Sequence, residues 1–159
     1  MSTKKNSEGF HFRKKRYGGE MAKILILDDQ RCIRELVSEE LRLEGYETSS
    51  VGNSEQLQDQ LLQFQPDLVL LDLFLDGADG FSELQYIKQR YPRLPVVILT
   101  AYDTYIDDPR LSQVDGYVVK STDFSTLKQK IVEMVASRHV FERRCENVLC
   151  VETQNTLGV

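Results

Sequence analysis

Five polar residues follow short apolar segments of this chain, and their types suit metal and phosphate chemistry. Asp28 and Asp29 follow the first segment, Asp72 the third, Thr100 the fourth and Lys120 the fifth. Carboxylates brought close together repel one another unless a cation lies between them. If the fold gathers these residues, the sequence predicts a cation-binding site that contains a hydroxyl group and an ammonium group.

The same set of side chains could accept a phosphoryl group. Oxygen ligands favour hard cations, and incomplete coordination by protein that leaves water in place suits Mg²⁺. Such a cation and Lys120 can neutralise phosphoryl oxygens, while Thr100 and backbone N–H groups bind the remaining ones. Asp72 is then the natural nucleophile, because carboxylates can form a covalent aspartyl-phosphate.

Two alternating patterns predict the elements that position these residues. Apolar runs typical of buried parallel strands cover residues 23–27, 46–51, 67–71, 95–99 and 116–119. Helical spacing of apolar residues follows the first, second, third and fifth runs. Strands alternating with helices predict an α/β fold, a parallel sheet with helices on both faces. Ligands of such sheets collect at the carboxyl ends of the strands, where all five polar residues stand.

The segment between the fourth and fifth strands carries the weakest helical signal. Residues 102–114 are rich in aspartate, and Ile106 and Leu111 are the only candidates for the core. Pro109 cannot sit within a regular helix without loss of a backbone hydrogen bond. We therefore expect a fourth helix that is short, irregular or mobile.

Taken in order, these motifs resemble the response-regulator receiver domains of two-component signalling. The resemblance covers about residues 22–138 and depends on Asp28-Asp29, on Asp72 with Asp79-Gly80, on Thr100-Ala101 and on the run Tyr117-Val-Val-Lys120. It implies a flavodoxin-like, doubly wound, five-stranded α/β fold and a Mg²⁺ cofactor. It also implies a phosphorylation-activated switch that receives its phosphoryl group from a histidine kinase or a phosphotransfer protein, and that has no enzymatic activity beyond its own phosphorylation and dephosphorylation.

The resemblance assigns the acceptor and the metal ligands residue by residue. Asp72 looks like the phosphoacceptor, and Lys120 would pair first with Asp72 and later with the phosphoryl oxygens. Asp29 and Asp72 look like direct Mg²⁺ ligands, and Asp28 would help through a bound water. The backbone carbonyl of Phe74 would supply a further metal ligand.

Other residues would bind the phosphoryl group, respond to it or control access to it. Thr100 looks like the switch hydroxyl, Ala101 is small enough to leave the acceptor accessible, and Tyr117 looks like the aromatic switch. Phe74 and Tyr102 would border the path of water towards the phosphoryl group. In the family, carboxylate or amide side chains at these two places can orient that water.

Two other functions stay open. A Mg²⁺-dependent phosphatase of the haloacid-dehalogenase type also uses an aspartate nucleophile, but it places a general acid where this chain has Phe74, which cannot donate a proton. A receiver-fold interaction domain independent of phosphorylation is the other alternative. Ser121, which stands where the family usually has proline, and the weak fourth helix slightly favour it, and the intact acidic site speaks against it. A further departure from the family is Leu75-Asp76, which stands where Met-Pro is common.

Charge and composition indicate how the 159-residue chain is organised. The net charge is −5, yet the first 20 residues hold six basic and two acidic side chains, so the remainder carries −9. We expect a basic, flexible extension over residues 1–20, a receiver domain over 21–138 and a polar tail over 139–159. An acidic domain argues against direct nucleic-acid binding, so an unknown downstream protein is expected as the target. Without a signal peptide, a membrane-spanning run or a disulfide framework, the sequence predicts a stand-alone cytoplasmic protein.

Overall fold

A five-stranded parallel sheet forms the centre of the molecule. The computed structural model describes residues 16–17, 20–76 and 78–136. The strands are β1 (Lys23–Leu27), β2 (Glu47–Val51), β3 (Leu68–Leu71), β4 (Val96–Thr100) and β5 (Gly116–Val119). They lie in the order β2-β1-β3-β4-β5, and every neighbouring pair is parallel. The predicted strands and their parallel arrangement are confirmed.

Four helices connect or follow the strands. They are α1 (Arg31–Leu43), α2 (Ser54–Gln63), α3 (Gly80–Arg90) and α4 (residues 125–136). Gly45, in the left-handed region at φ 90°, follows α1, as expected for a residue that ends a helix. Asn53 caps α2 by accepting a hydrogen bond from the Gln56 N–H at 2.9 Å.

The core is divided between the two faces of the sheet. Leu25 and Leu27 of β1 pack on the face covered by α2 and α3, and Ile24 and Ile26 pack on the face covered by α1 and α4. This alternation follows from the two-residue period of a strand. The helices contribute the buried residues Val37, Leu41, Leu57, Leu61, Leu84, Ile87, Leu127, Ile131 and Val135. The doubly wound α/β fold is therefore confirmed.

The connection from β4 to β5 is irregular, as predicted. Its regular structure is limited to one 3-10 turn, Pro109–Leu111, capped by the Asp108 carboxylate on the Arg110 N–H at 2.9 Å. Leu111 reaches the core, but Ile106 is 60% exposed. The prediction of Ile106 as a core residue was wrong, because a chain of turns presents no continuous apolar face to the sheet.

Two short antiparallel ladders were not predicted from the sequence. Arg16–Tyr17 pairs with Glu20–Met21, and Phe74–Leu75 pairs with Ala78–Asp79. The other residues of the predicted N-terminal extension, and the whole predicted tail 139–159, lie outside the described residues. Among the helices that are described, none has both the length and the apolar character needed to cross a membrane.

Candidate functional site

Three carboxylates meet at the carboxyl edge of the sheet. Asp28 and Asp29 follow β1, Asp72 follows β3, and these two strands are neighbours. The Asp72 N–H donates to the Leu27 carbonyl at 2.9 Å, which fixes the two strand ends side by side. One carboxylate oxygen from each aspartate lies within 4.8 Å of the others. The predicted acidic cluster is thus assembled, and Asp28 and Asp72 are both buried.

Lys120 extends from the end of β5 into this cluster. Its ammonium nitrogen lies 2.6 Å from Asp28 Oδ2 and 2.5 Å from Asp72 Oδ2. Burial acts to lower the pKa of Lys120, but its hydrogen bonds and charge interactions with Asp28 and Asp72 outweigh burial, so the pKa is raised. Lys120 is therefore protonated at neutral pH and offsets part of the repulsion among the acids.

Thr100 ends β4 beside the acidic cluster. The Lys120 N–H donates to the Thr100 carbonyl at 2.7 Å, which places the two residues on adjacent strand ends. The Thr100 side chain is 0% exposed, and its hydroxyl has no hydrogen-bond partner within the described part of the chain. A buried hydroxyl without a partner is costly, so this group is available to a ligand that enters the site. Ala101, the next residue, is exposed.

The site fits a hard divalent cation. Three carboxylates and one ammonium leave two negative charges uncompensated. Asp29 Oδ1 is buried and has no hydrogen-bond partner among residues 20–76 and 78–136. An all-oxygen donor set with room for water matches Mg²⁺. The Phe74 carbonyl stays a predicted ligand.

Aromatic side chains form the rim of the site. The Phe74 N–H donates to Asp72 Oδ1 at 3.1 Å, so the loop after β3 begins with a bond to the carboxylate itself. The Phe74 ring is 42% exposed and meets the rings of Tyr102 and Tyr105 edge-on, with centroids 4.9 and 5.3 Å apart. Phe74 and Tyr102 therefore lie side by side, as their predicted common role requires.

Tyr117 contacts the β4–β5 connection through its hydroxyl group. The phenol donates to the Tyr102 carbonyl at 2.5 Å, and the half-buried ring packs against the core. Burial raises the pKa of Tyr117, so the phenol stays protonated and remains a donor. The hydroxyl of this predicted switch residue thus bonds to backbone next to the site.

The sequence and this geometry agree with one known family. Residues 24–132 match the family described as the response regulator receiver domain. The chain belongs to this family. The chain is 32% identical over 130 residues to RpaA of Synechocystis, a DNA-binding dual master transcriptional regulator. That match covers 80% of this chain but 52% of RpaA, so the chain spans about half the length of this relative.

Solved structures share the receiver fold. TrrA of Thermotoga maritima, solved with Mg²⁺ and BeF, is 37% identical to this chain. The match covers 72% of this chain and 99% of TrrA and has a TM-score of 0.69. TrrA has also been solved with the histidine kinase ThkA, and that match has a TM-score of 0.68, 37% identity and coverage of 72% and 98%. NtrX of Brucella abortus is 27% identical over 81% of this chain and 30% of its own, with a TM-score of 0.70.

One residue that contacts the acid pair of this receiver domain was not predicted from the sequence. Arg34, in the first turn of α1, donates from Nη1 to the backbone carbonyls of Asp28 and Asp29 at 2.7 and 2.9 Å. No pattern of residue types distinguishes it, because Arg31 is an equally basic residue of the same turn and has its partner, Glu35, within the helix.

Proposed function

We propose that Asp72 of this receiver domain accepts a phosphoryl group from a histidine kinase or a phosphotransfer protein. The observation that carries the proposal is the buried Asp72 carboxylate, held by the Lys120 ammonium at 2.5 Å and adjoined by two further carboxylates. TrrA, which is similar over its whole length, binds Mg²⁺ and BeF in one solved structure and a histidine kinase in another.

Lys120, Thr100 and Ala101 would receive the transferred group. The phosphorus–donor bond breaks as a bond forms between phosphorus and an Asp72 oxygen, and the donor leaves with the bonding electrons. Lys120 then exchanges part of its contact with Asp72 for the phosphoryl oxygens, whose negative charge it neutralises. The Thr100 hydroxyl donates to another oxygen, and the small Ala101 side chain leaves space beside it.

The carboxylates that surround Asp72 would hold the cofactor. Asp29 and Asp72 supply direct oxygen ligands, Asp28 acts through a bound water, and the Phe74 carbonyl completes the protein's share. Bound Mg²⁺ supplies positive charge to the phosphoryl oxygens during transfer. The unpartnered Asp29 Oδ1 supports this assignment, because a buried carboxylate oxygen without a donor is otherwise costly.

The Thr100 and Tyr117 side chains would convert phosphorylation into a change of surface. Thr100 moves towards the phosphoryl group, and Tyr117 follows by giving up its bond to the Tyr102 carbonyl. The altered surface changes affinity for a downstream protein, or the group passes on to another phosphotransfer protein. We assign this activity to residues 21–138, with residues 1–20 and 139–159 as flanking segments. The acidic domain favours a protein partner over direct contact with nucleic acid.

Acetyl phosphate with Mg²⁺ tests the acceptor directly. The parent chain should gain the mass of one phosphoryl group, and Asp72→Asn should gain none, because an amide oxygen is a poor nucleophile. EDTA should block the reaction, since the uncompensated acids would repel the anionic donor. Intact-mass spectrometry measures all three. Asp76→Asn, a change of the same type at an exposed residue nearby, is the control and should be phosphorylated like the parent.

Three results would contradict the proposal. A phosphoryl adduct that persists in Asp72→Asn would place the acceptor elsewhere. A parent chain that stays unmodified in the presence of Mg²⁺ would favour the interaction domain that does not depend on phosphorylation. Repeated release of phosphate from an added ester would favour the phosphatase.

A further inference from the structure

The guanidinium of Arg34 connects the start of α1 to the backbone of the acid pair. Nη1 donates to the carbonyls of Asp28 and Asp29 at 2.7 and 2.9 Å. Arginine is always charged, and hydrogen bonds from a charged donor are stronger than those between neutral groups. Gln30, the N-cap residue of α1, makes no side-chain capping bond. Arg34 therefore supplies a link between helix and loop at a place where the usual cap is missing.

The peptide group between Asp29 and Gln30 is held at both ends. Its carbonyl accepts from Arg34, and its N–H donates to Asp28 Oδ1 at 2.9 Å. The Asp29 side chain itself has no such support, because its Oδ1 has no hydrogen-bond partner in the described part of the chain. The direction of the Asp29 carboxylate therefore depends on the backbone, and Arg34 fixes that backbone.

Gly52, which follows β2, leaves room for the guanidinium. A Cβ atom at residue 52 would lie 3.0 Å from Arg34 Nη1 and 3.3 Å from its Cζ. Gly52 does not have a positive φ, so the backbone itself would accept alanine without strain. The absence of a side chain at residue 52 is thus matched to the position of Arg34.

We propose that Arg34 is a positioning residue for Mg²⁺ binding, acting through the backbone of Asp28 and Asp29. The inference rests on the proposed function, since it concerns the cofactor of the same site. The inference predicts that removal of Arg34 changes the Mg²⁺ affinity in the direction opposite to that expected from simple electrostatics. Removing a positive charge near a divalent-cation site should strengthen cation binding by Coulomb's law. Removing a positioning group should weaken it.

Titration with Mg²⁺ alone, in the absence of any phosphodonor, tests the inference. Amide chemical shifts in nuclear magnetic resonance spectra report the affinity. Arg34→Ala should bind Mg²⁺ about tenfold more weakly than the parent, the size of effect usual for groups that orient metal ligands. Arg31→Ala is the matched control, because Arg31 lies in the same turn with the same charge but forms its ion pair with Glu35 and, within the described part of the chain, no hydrogen bond to the acid pair. It should bind Mg²⁺ as well as the parent, or slightly more tightly.

Two further variants separate positioning from a general loss of stability. Arg34→Lys keeps the charge but replaces the planar guanidinium with a single ammonium group. Compared with Arg34→Ala, it should therefore recover only part of the Mg²⁺ affinity. Gly52→Ala leaves Arg34 in place and displaces its guanidinium by a few tenths of an ångström. It should weaken Mg²⁺ binding less than Arg34→Ala does, and the double variant should be no weaker than Arg34→Ala alone, because both act on one contact.

Rates of phosphorylation by acetyl phosphate add an independent comparison. Arg34→Ala should need about tenfold more Mg²⁺ for half of its maximal rate and should reach nearly the parent's rate at saturation. Mg²⁺ affinity equal to or tighter than the parent's in a folded Arg34→Ala variant would overturn the inference. If that variant does not fold, unchanged affinity in Gly52→Ala would overturn it. A parent that binds Mg²⁺ but accepts no phosphoryl group would contradict the proposed function and leave the role of Arg34 intact.

Discussion

Two aromatic side chains at the rim of the site are predicted to border the path of water to a phosphorylated Asp72. Loss of the group requires attack in line, opposite the aspartate oxygen. Phe74 offers no hydrogen bond to orient that water, and Tyr102 offers only a phenol at the end of a ring that is 54% exposed. The contact between the two rings, 4.9 Å from centroid to centroid, makes them a joint cover on one side of the site. From this arrangement we predict a long-lived phosphorylated state.

Replacing both rings with polar side chains should shorten that lifetime. In Phe74→Asn combined with Tyr102→Glu, an amide and a carboxylate can align water, so phosphate should be lost roughly tenfold faster or more. Intact mass after removal of the donor follows the decay. Ile106→Glu adds the same charge at an exposed residue of the same connection and should decay like the parent. Equal lifetimes in the double variant and the parent would mean that these aromatics do not limit hydrolysis.

Individual residues differ in how far their positions follow from the sequence. Asp28, Asp72 and Lys120 could be placed because each ends an apolar run, and parallel strands bring their carboxyl ends together. Arg34 could not be placed in this way. Its partners are backbone carbonyls, and every residue has a carbonyl, so the pattern of residue types carries no information about that contact.

At the level of elements, the connection from β4 to β5 should be the most easily opened part near the site. Its hydrogen bonds form isolated turns, such as Ile106 N–H to Asp103 carbonyl at 3.2 Å, that open one at a time. Amides from Tyr102 to Val114 should exchange with solvent faster than those of α4 in the unphosphorylated protein. Hydrogen exchange followed by mass spectrometry measures this. Protection across the connection equal to that of α4 would contradict the expectation.

Gly80, the first residue of α3, lies against the backbone of Asp72 and Leu73. A Cβ atom there would lie 2.5 Å from the Asp72 carbonyl oxygen and 2.5 Å from Leu73 Cα, and backbone cannot yield as a side chain can. Gly80→Ala should lower the free energy of unfolding by about 1–3 kcal/mol. Gly116→Ala is the control, because its nearest contact is the flexible Lys130 side chain at 2.9 Å. Urea melts of both variants measure the difference, and equal stability would show that the loop adjusts without cost.

Element boundaries could be predicted where a local signal exists and not where tertiary contacts decide. Asn53 and Gly45 are local signals of helix ends, because caps depend on the residue itself. The two-residue ladder of Phe74–Leu75 with Ala78–Asp79 has no such signal, since the close approach of Gly80 to the backbone of Leu73 forms only in the folded chain. Leu62 shared the apolar spacing of α2 but is 62% exposed, because the sheet covers only one face of that helix.

For the whole molecule, the acidic site should cost stability in the absence of metal. Asp72→Asn removes one repelling charge and keeps an oxygen acceptor for the Phe74 N–H, so the free energy of unfolding in EDTA should stay equal or rise. Lys120→Ala should lower it by on the order of 3 kcal/mol, since two buried carboxylates lose their counter-charge. Urea melts in EDTA provide both values.

A second lysine provides the control for this pair of variants. Lys128 contacts Glu40 and Glu44 at 3.0 and 3.2 Å, but those groups are partly exposed. Lys128→Ala should therefore cost no more than about 1 kcal/mol. Clear destabilisation by Asp72→Asn would count against repulsion within the site.

The lysine that completes the site directly follows one of the two edge strands of the sheet. Lys120 follows β5, which in the described part of the chain pairs only with β4, and its partner Asp72 lies 48 positions earlier. During synthesis the three aspartates of the site are therefore added to the chain well before Lys120, the residue whose positive charge offsets theirs. Because no local segment contains the whole constellation, a nascent or truncated chain that lacks β5 has no complete acceptor. We therefore expect a chain that ends before β5 to accept a phosphoryl group poorly, because the proposed acceptor Asp72 would lack the Lys120 ammonium.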